Sequence, residues 1–419
     1  MSAMIRLCGR GALPLLACAA LVACSGPAPP ASDAGAGVTV FTGARVIVGD
    51  GSVVDNATFT VGSDNRFQAV GATGAVTVPA GATTVDLAGL TVMPAIVDTH
   101  THLSRDRAGL TADLKHRAYF GVGAAMSLGQ DTGDDVYAMR RETTPGHALY
   151  RTAGRGVTAP EPGRSDVPYW VTTADEARAG VREQAALGVD IIKVWVDDRN
   201  GQYPKLAPDI YGAVIEEAHA NGLRVTAHLY YLDDAKELVR RGIDAFAHGI
   251  RDRDIDDELV ALLEERPNFV VVPNLPDRGV AQDLSWLSAH LPPEQVATLQ
   301  AASTDRPEAQ AFFAIQARNL ERLSREGVRI ALGTDGNVPW GAHLEMADMV
   351  ATGMTPAQVI VAATRNSAEL LGLADAGTVA AGRSADFIVL EANPLDDITN
   401  TRRIRDVYLR GERIDRSAY

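Results

Sequence analysis

Val92-Met93-Pro94-Ala95-Ile96-Val97-Asp98-Thr99-His100-Thr101-His102-Leu103 is the stretch from which the fold is read. Its apolar pair Ile96-Val97 has the texture of a buried strand, and His100 and His102 stand at i and i+2 where that strand ends. Side chains two apart on a strand point to one face. Both imidazoles therefore reach one point, as a shared metal ion requires. Two hydrogen-bonded core histidines would look the same, so the pair gains weight only from the rest of the chain.

Outward from that strand, residues 94–373 alternate short apolar runs with amphipathic ones. The strand candidates are Ile96–Thr101, 122–128, 149–154, 191–196, Val225–Leu229, 245–248, 269–272 and 330–334. Helical patterns lie between several of them, for example Ala174–Leu187, 208–221, 233–241 and 255–265, each stopping near Gly or Pro. Eight strands with crossover helices predict an α/β fold, a (β/α)8 TIM barrel. An open doubly wound sheet is the second choice, disfavoured because no Gly-x-Gly-x-x-Gly turn follows the first strand.

The chain ends read differently. Residues 38–93 and 374–419 carry alternating runs such as Thr58-Phe59-Thr60-Val61 and Phe387-Ile388-Val389-Leu390, broken by Gly, Asp and Asn. Neither piece makes a good core alone, so both ends are predicted to build one small β-sandwich into which the barrel is inserted. Residues 24–37 are small and rich in Pro and Gly, a flexible tether. Residues 1–23 form a signal segment, with Arg6 and Arg10 ahead of an apolar run too short to span a bilayer. It ends Leu21-Val22-Ala23-Cys24, which resembles a bacterial lipobox; lipidation at Cys24 and a place in the cell envelope, at the outer membrane facing the periplasm, are the expectation. Cleavage there leaves one of the three cysteines, which excludes an internal disulfide. A formal charge of −14 argues against a nucleic-acid partner. A homo-oligomer is compatible with this composition.

The polar residues fall on the strand ends. His100 and His102 close strand one, Lys193 lies inside strand four, His228 ends strand five, His248 ends strand six and Asp335 ends strand eight. That is the face where barrel sites form. Each has an ordinary structural explanation except Lys193, because burying an unpaired ammonium is costly. Carboxylation by CO2 would turn it into an anionic oxygen ligand able to bridge two cations.

With these residues the chain resembles the amidohydrolase superfamily, in its binuclear branch with a carboxylated lysine and its imidazolonepropionase-like and Xaa-Pro-dipeptidase-like members. Met93 to His102, Gly188 to Val194, Gly327 to Asp335, Gly353-Met354-Thr355-Pro356 and Gly377 to Asp386 carry the resemblance. It implies two divalent ions, of which Zn2+ suits the donors. His100, His102 and Asp335 would hold one, His228 and His248 the other, and carboxylated Lys193 would bridge them together with a hydroxide. That hydroxide would attack an amide, with Asp335 as proton shuttle. The implied activity is hydrolysis of a C–N bond in a small carboxylate-bearing molecule such as a dipeptide or N-acyl amino acid. A cyclic amide, lactone or phosphotriester is the alternative, and a lipid-anchored binding protein without catalysis a second. Where the dipeptidase-like members have Gly-Gly-His after strand three, residues 154–164 contain no histidine, and Ala247 replaces an acid before His248. Loop residues offered as substrate contacts are Tyr231, Arg155, Arg164 and Arg251. Residues 276–325 are expected to form two helices near the site.

Overall fold

The computed structural model describes residues 37–417. Cys24, the signal segment and nearly all of the tether lie outside them.

Strands from both chain ends form one eight-stranded sheet. Thr91–Pro94, which leads into the barrel, pairs antiparallel with Phe387–Leu390, which leaves it. Alternation along these strands sends Phe41, Phe59, Phe67, Phe387 and Tyr408 to one side. Phe67 lies at the far end of the strand order from Phe387, yet their rings are 5.7 Å apart. The sheet therefore folds over on itself. The edge strand that starts at Phe67 meets the segment leading into Phe387–Leu390, where Phe67 N donates to Arg383 O and Ala385 N to Asn65 O, at 2.9 and 3.0 Å. The aromatic cluster is the filling of this small sandwich, with Phe387 and Tyr408 stacked at 4.5 Å.

Between the halves of that sheet run eight parallel strands: Ile96–Thr101, Val122–Ser127, Leu149–Thr152, Ile192–Val196, Val225–Leu229, Ala245–Phe246, Val270–Val271 and Arg329–Ile330. The ring closes through Thr99 N to Leu332 O (2.9 Å) and Thr334 N to His100 O (3.0 Å). Between strands three and four, Asp190 N donates to Thr152 O at 2.9 Å. Local sequence sets the helix limits. Ala174–Leu187 starts at a capping box, Thr173 with Glu176, and stops at Gly188, whose φ of +80° suits a residue without Cβ. Such a cap contributes about 1 kcal/mol, and the helix buries Ala177, Gly180, Val181 and Gln184 toward the barrel.

Strands six to eight are shorter than the apolar runs suggest. Each run continues past the last ladder pair with single inter-strand bonds, Ala247 N to Ala227 O and Val272 N to Phe246 O at 2.8 Å and Ala331 N to Val271 O at 3.0 Å, before reaching His248, Asn274 and Asp335. Within 276–325 lie a 3-10 turn, Ser285–Ala289, and helices Pro293–Ala302 and Pro307–Arg325. The longer helix grips the loop after strand six: Asn319 accepts from Ile255 N and donates to Ile250 O and Arg253 O.

Candidate metal centre

All six strand-end residues meet at the carboxyl-terminal mouth of the barrel. His100 and His102 share a face, and Nε2 of each lies near Oδ1 of Asp335, at 3.1 and 3.0 Å. His248 Nε2 approaches Oδ2 of the same carboxylate at 3.8 Å. One ligand atom each from His100, His248 and Asp335 lie within 4.8 Å of one another. The ring of His228 packs on His248 with centroids 4.4 Å apart. Lys193 is 0% exposed, and its Nζ has no hydrogen-bond partner among the described residues.

Residues around these six fix their orientation. Asn274, at φ +41°, meets His100 Nδ1 at 2.6 Å, which turns Nε2 toward Asp335. Asp197 accepts from His228 Nε2 at 2.9 Å and leaves Nδ1 as the remaining ring nitrogen. A carboxylate behind an imidazole is the usual support of a metal-binding histidine. Arg251 contacts His248 Nδ1. The indole of Trp195 lies 5.3 Å from Lys193 Nζ. It fits a slot between Gly129 and Gly156, where a Cβ would come within 2.5 and 2.3 Å of the ring.

Burial controls the charges. It lowers His100 to about 4, with Lys193 adding to the effect and Asp335 opposing it. It lowers His228 to about 3 against the hydrogen bond to Asp197, and drives His248 well down, helped by Arg251. All three imidazoles are thus neutral at physiological pH, the form that can donate a lone pair. Burial also brings Lys193 from 10.5 to about 7; Asp335 opposes this, while Arg251 and Arg199 assist. For Asp335 burial acts upward, but His100, His102 and His248 outweigh it and hold the carboxyl far below its ordinary range.

These residues fit a divalent first-row metal. His100 Nε2, His102 Nδ1 and Lys193 Nζ are buried with no hydrogen-bond partner. A native core seldom leaves such atoms unsatisfied, and neutral imidazoles beside an ionised carboxylate are a matching donor set.

Above the cluster lies a cavity of about 210 Å3, lined by five of the six, Lys193 excepted, and by Gln130, Thr158, Glu161, Arg164, Trp195 and Arg199 among others. Of the loop residues named from sequence, Arg164 lines it and Arg251 abuts His248. Arg155 and Tyr231 are engaged elsewhere. Arg155 donates to Val167 O at 2.5 Å and stacks 3.9 Å over Tyr169, propping the loop after strand three. Tyr231 donates to Asp198 at 2.9 Å. Sequence reasoning missed Asp197, Arg199, Glu161, Asn274 and Trp195. Only Asp197, the first residue past strand four, carries a signal in the same place as the six.

Fold and mouth together define a (β/α)8-barrel protein with a metal-competent carboxyl-terminal face. The amidohydrolase family matches residues 91–414, and the chain belongs to it. It is 28% identical over 309 residues to an ochratoxinase from Aspergillus niger, covering 66% of this chain and 58% of that protein. It is 27% identical over 356 residues to imidazolonepropionase from Deinococcus radiodurans, covering 78% and 85% of the two chains. The structure of a Xaa-Pro dipeptidase with bound methionine superposes with a TM-score of 0.72 over 90% of this chain and 100% of the other, at 21% identity. The chain thus spans somewhat over half the length of the ochratoxinase it matches.

Proposed function

We propose that the protein is a metal-dependent hydrolase of a C–N bond in a small, carboxylate-bearing amide such as a dipeptide or N-acyl amino acid. The observation that carries this is the convergence of His100, His102, His228, His248, Lys193 and Asp335, with orphaned polar atoms on three of them. His100, His102 and Asp335 would hold one ion and His228 and His248 a second, with Lys193 as the bridge after reaction with CO2. Zn2+ suits these donors. Bound there, the cations would lower the pKa of a shared water and polarise the scissile carbonyl.

The chain's own residues do the rest. Asp335, ionised and in contact with His100 and His102, accepts the proton of the attacking water and passes it to the departing nitrogen. Asp197 holds His228 by its outer nitrogen. Trp195 covers Lys193 and keeps bulk water from it. The lowered pKa of Lys193 suits attack on CO2, since a free amine is the reacting form. A lipid anchor at Cys24 in the bacterial envelope belongs to the same proposal and rests on the sequence alone.

Metal analysis joined to a substrate screen tests the reading. The purified protein should carry close to two transition-metal ions per chain, and it should cleave dipeptides or N-acyl amino acids in preference to lactones and phosphotriesters. Full activity after complete metal removal overturns the centre; turnover confined to esters overturns the amide assignment.

A further inference from the structure

We infer that Arg164 and Arg199, both held by the single carboxylate of Glu161, form the subsite for the substrate's α-carboxylate; this rests on the amide-hydrolase reading above. Glu161 is only 6% exposed and lies in the loop after strand three. One of its oxygens faces Arg164 Nε at 2.8 Å and the other Arg199 Nε at 3.2 Å. Both guanidiniums are therefore gripped by the Nε edge. Arg199 Nη1 donates to Asp197 at 3.0 Å. Among the described residues no hydrogen bond occupies Nη2 of Arg199 or either Nη of Arg164, and both side chains line the cavity. The Nη1–Nη2 edge of Arg164 and the Nη2 of Arg199 are the N–H donors left to meet the two oxygens of a carboxylate.

The backbone supports the same assignment. Arg199 and Asn200 have φ of +53° and +59°, a conformation uncommon for residues with a side chain and typical of places where surrounding structure enforces function. Asp197 Oδ1 accepts from Arg199 N at 3.0 Å and stabilises the turn. This turn directs Arg199 back over the mouth directly after strand four. Tyr203 donates to Pro162 O at 3.0 Å, so the loops bearing Glu161 and Arg199 are tied together. Neither of the other two loop arginines is placed in this way: Arg155 is spent on Val167 and Tyr169, and Arg251, against His248, is not among the residues lining the cavity.

Position selects which carboxylate binds. Arg199 Nη1 lies 3.1 Å from His228 Nε2, one imidazole ring from the cluster. A carboxylate on the carbon next to the scissile nitrogen reaches that distance, whereas one at the end of a long side chain projects past it. The cavity, about 210 Å3, falls below the ~300–1,000 Å3 of sites for drug-sized ligands, which also favours a small substrate. Glu161 is a positioning residue here, and the two arginines make the contact.

The test compares N-acetyl-L-alanine with N-acetyl-L-alaninamide, which differ only in the charged group. Metal-loaded enzyme should favour the acid at least tenfold in kcat/KM at the acetyl bond. Arg164→Met and Arg199→Met should each bring that ratio to within about twofold of unity, chiefly through KM. Glu161→Gln should raise KM for the acid severalfold with metal content unchanged. Calorimetry with both compounds on Asp335→Asn protein reads binding without turnover. If neither compound is hydrolysed, the amide-hydrolase reading fails, while acid-selective binding lost in both arginine variants still sustains the subsite. Equal binding of acid and amide, or acid preference surviving in both arginine variants, overturns it.

Discussion

Replacing Lys193 with Met probes the centre with no substrate present. The ammonium is fully buried with no hydrogen-bond partner, and burial moves its titration from 10.5 to about 7 despite the pull of Asp335. In metal-free protein kept free of CO2 the side chain is a plain amine. An unfolded lysine keeps its proton up to about pH 10.4, the folded one only to about 7. Between those values the unfolded chain binds more protons, so stability rises with pH by about 1.4 kcal/mol per unit. Below pH 7 both states are protonated and the whole cost of burying the charge remains, on the order of 5 kcal/mol across the window. Methionine fills a similar volume and carries no such cost. Urea unfolding of chelated wild type and Lys193→Met at pH 6, 7, 8 and 9 isolates the term, because other titrations largely cancel in the difference. The advantage of the variant should be greatest at pH 6 and shrink by roughly 2 kcal/mol between pH 7 and 9. A difference that stays flat over that range would refute a buried, unpartnered Lys193. With metal restored the order should reverse if Lys193 holds metal as proposed, since methionine would remove that ligand.

Three further outcomes are expected. Asp335→Asn should reduce kcat at least about a hundredfold, the lower end of what positioned proton transfer supplies, while elemental analysis still finds bound metal; a rate within a few fold of wild type removes Asp335 as proton carrier. Asp197→Ala frees the outer nitrogen of His228 and should weaken metal binding about 10- to 100-fold in chelator competition; unchanged affinity shows that His228 needs no such support. Cys24→Ser should move the protein from the membrane to the soluble fraction of bacterial cells, and continued sedimentation with membranes rules out the lipid anchor.

The barrel is legible in the sequence because each element announces itself locally. Thr173, Glu176 and Gly188 bracket one helix, and the apolar runs that end in His100, His228, His248 and Asp335 mark strands and site together. Lys193 stands out because a cation inside an apolar strand conflicts with its surroundings. The supports are not legible, since they act across the fold. Asn274 meets His100 over 174 positions of chain, and nothing near Pro273 or Leu275 foretells it. Arg199 is hidden for another reason: its direction comes from a backbone turn that no propensity encodes. Arg155 and Tyr231 show the converse. Closeness in sequence to a strand end suggests a substrate contact, yet tertiary partners, Tyr169 for one and Asp198 for the other, take up both side chains.

Backbone strain gathers where the chemistry is placed. Of the seven non-glycine residues with positive φ among the described residues, Arg199, Asn200, Asn274 and Asp335 stand at the barrel mouth. Such conformations cost of order 1–3 kcal/mol each and persist only where neighbours enforce them. For Asp335, at φ +51°, the neighbours are identifiable. Its N–H donates to His100 O at 2.8 Å. Asp98, raised by burial to about 6, accepts from the hydroxyl of Thr334 at 2.8 Å and anchors the residue before it. Arg117, buried on the first barrel helix, donates to Gly336 O at 3.2 Å and to Asn337 at 2.9 Å, anchoring the two residues after it. Were these braces loosened, Asp335 would relax toward an ordinary backbone conformation and carry its carboxylate away from both imidazoles. The geometry of the centre is thus set as much by Asp98 and Arg117 as by the strand-end residues that form it.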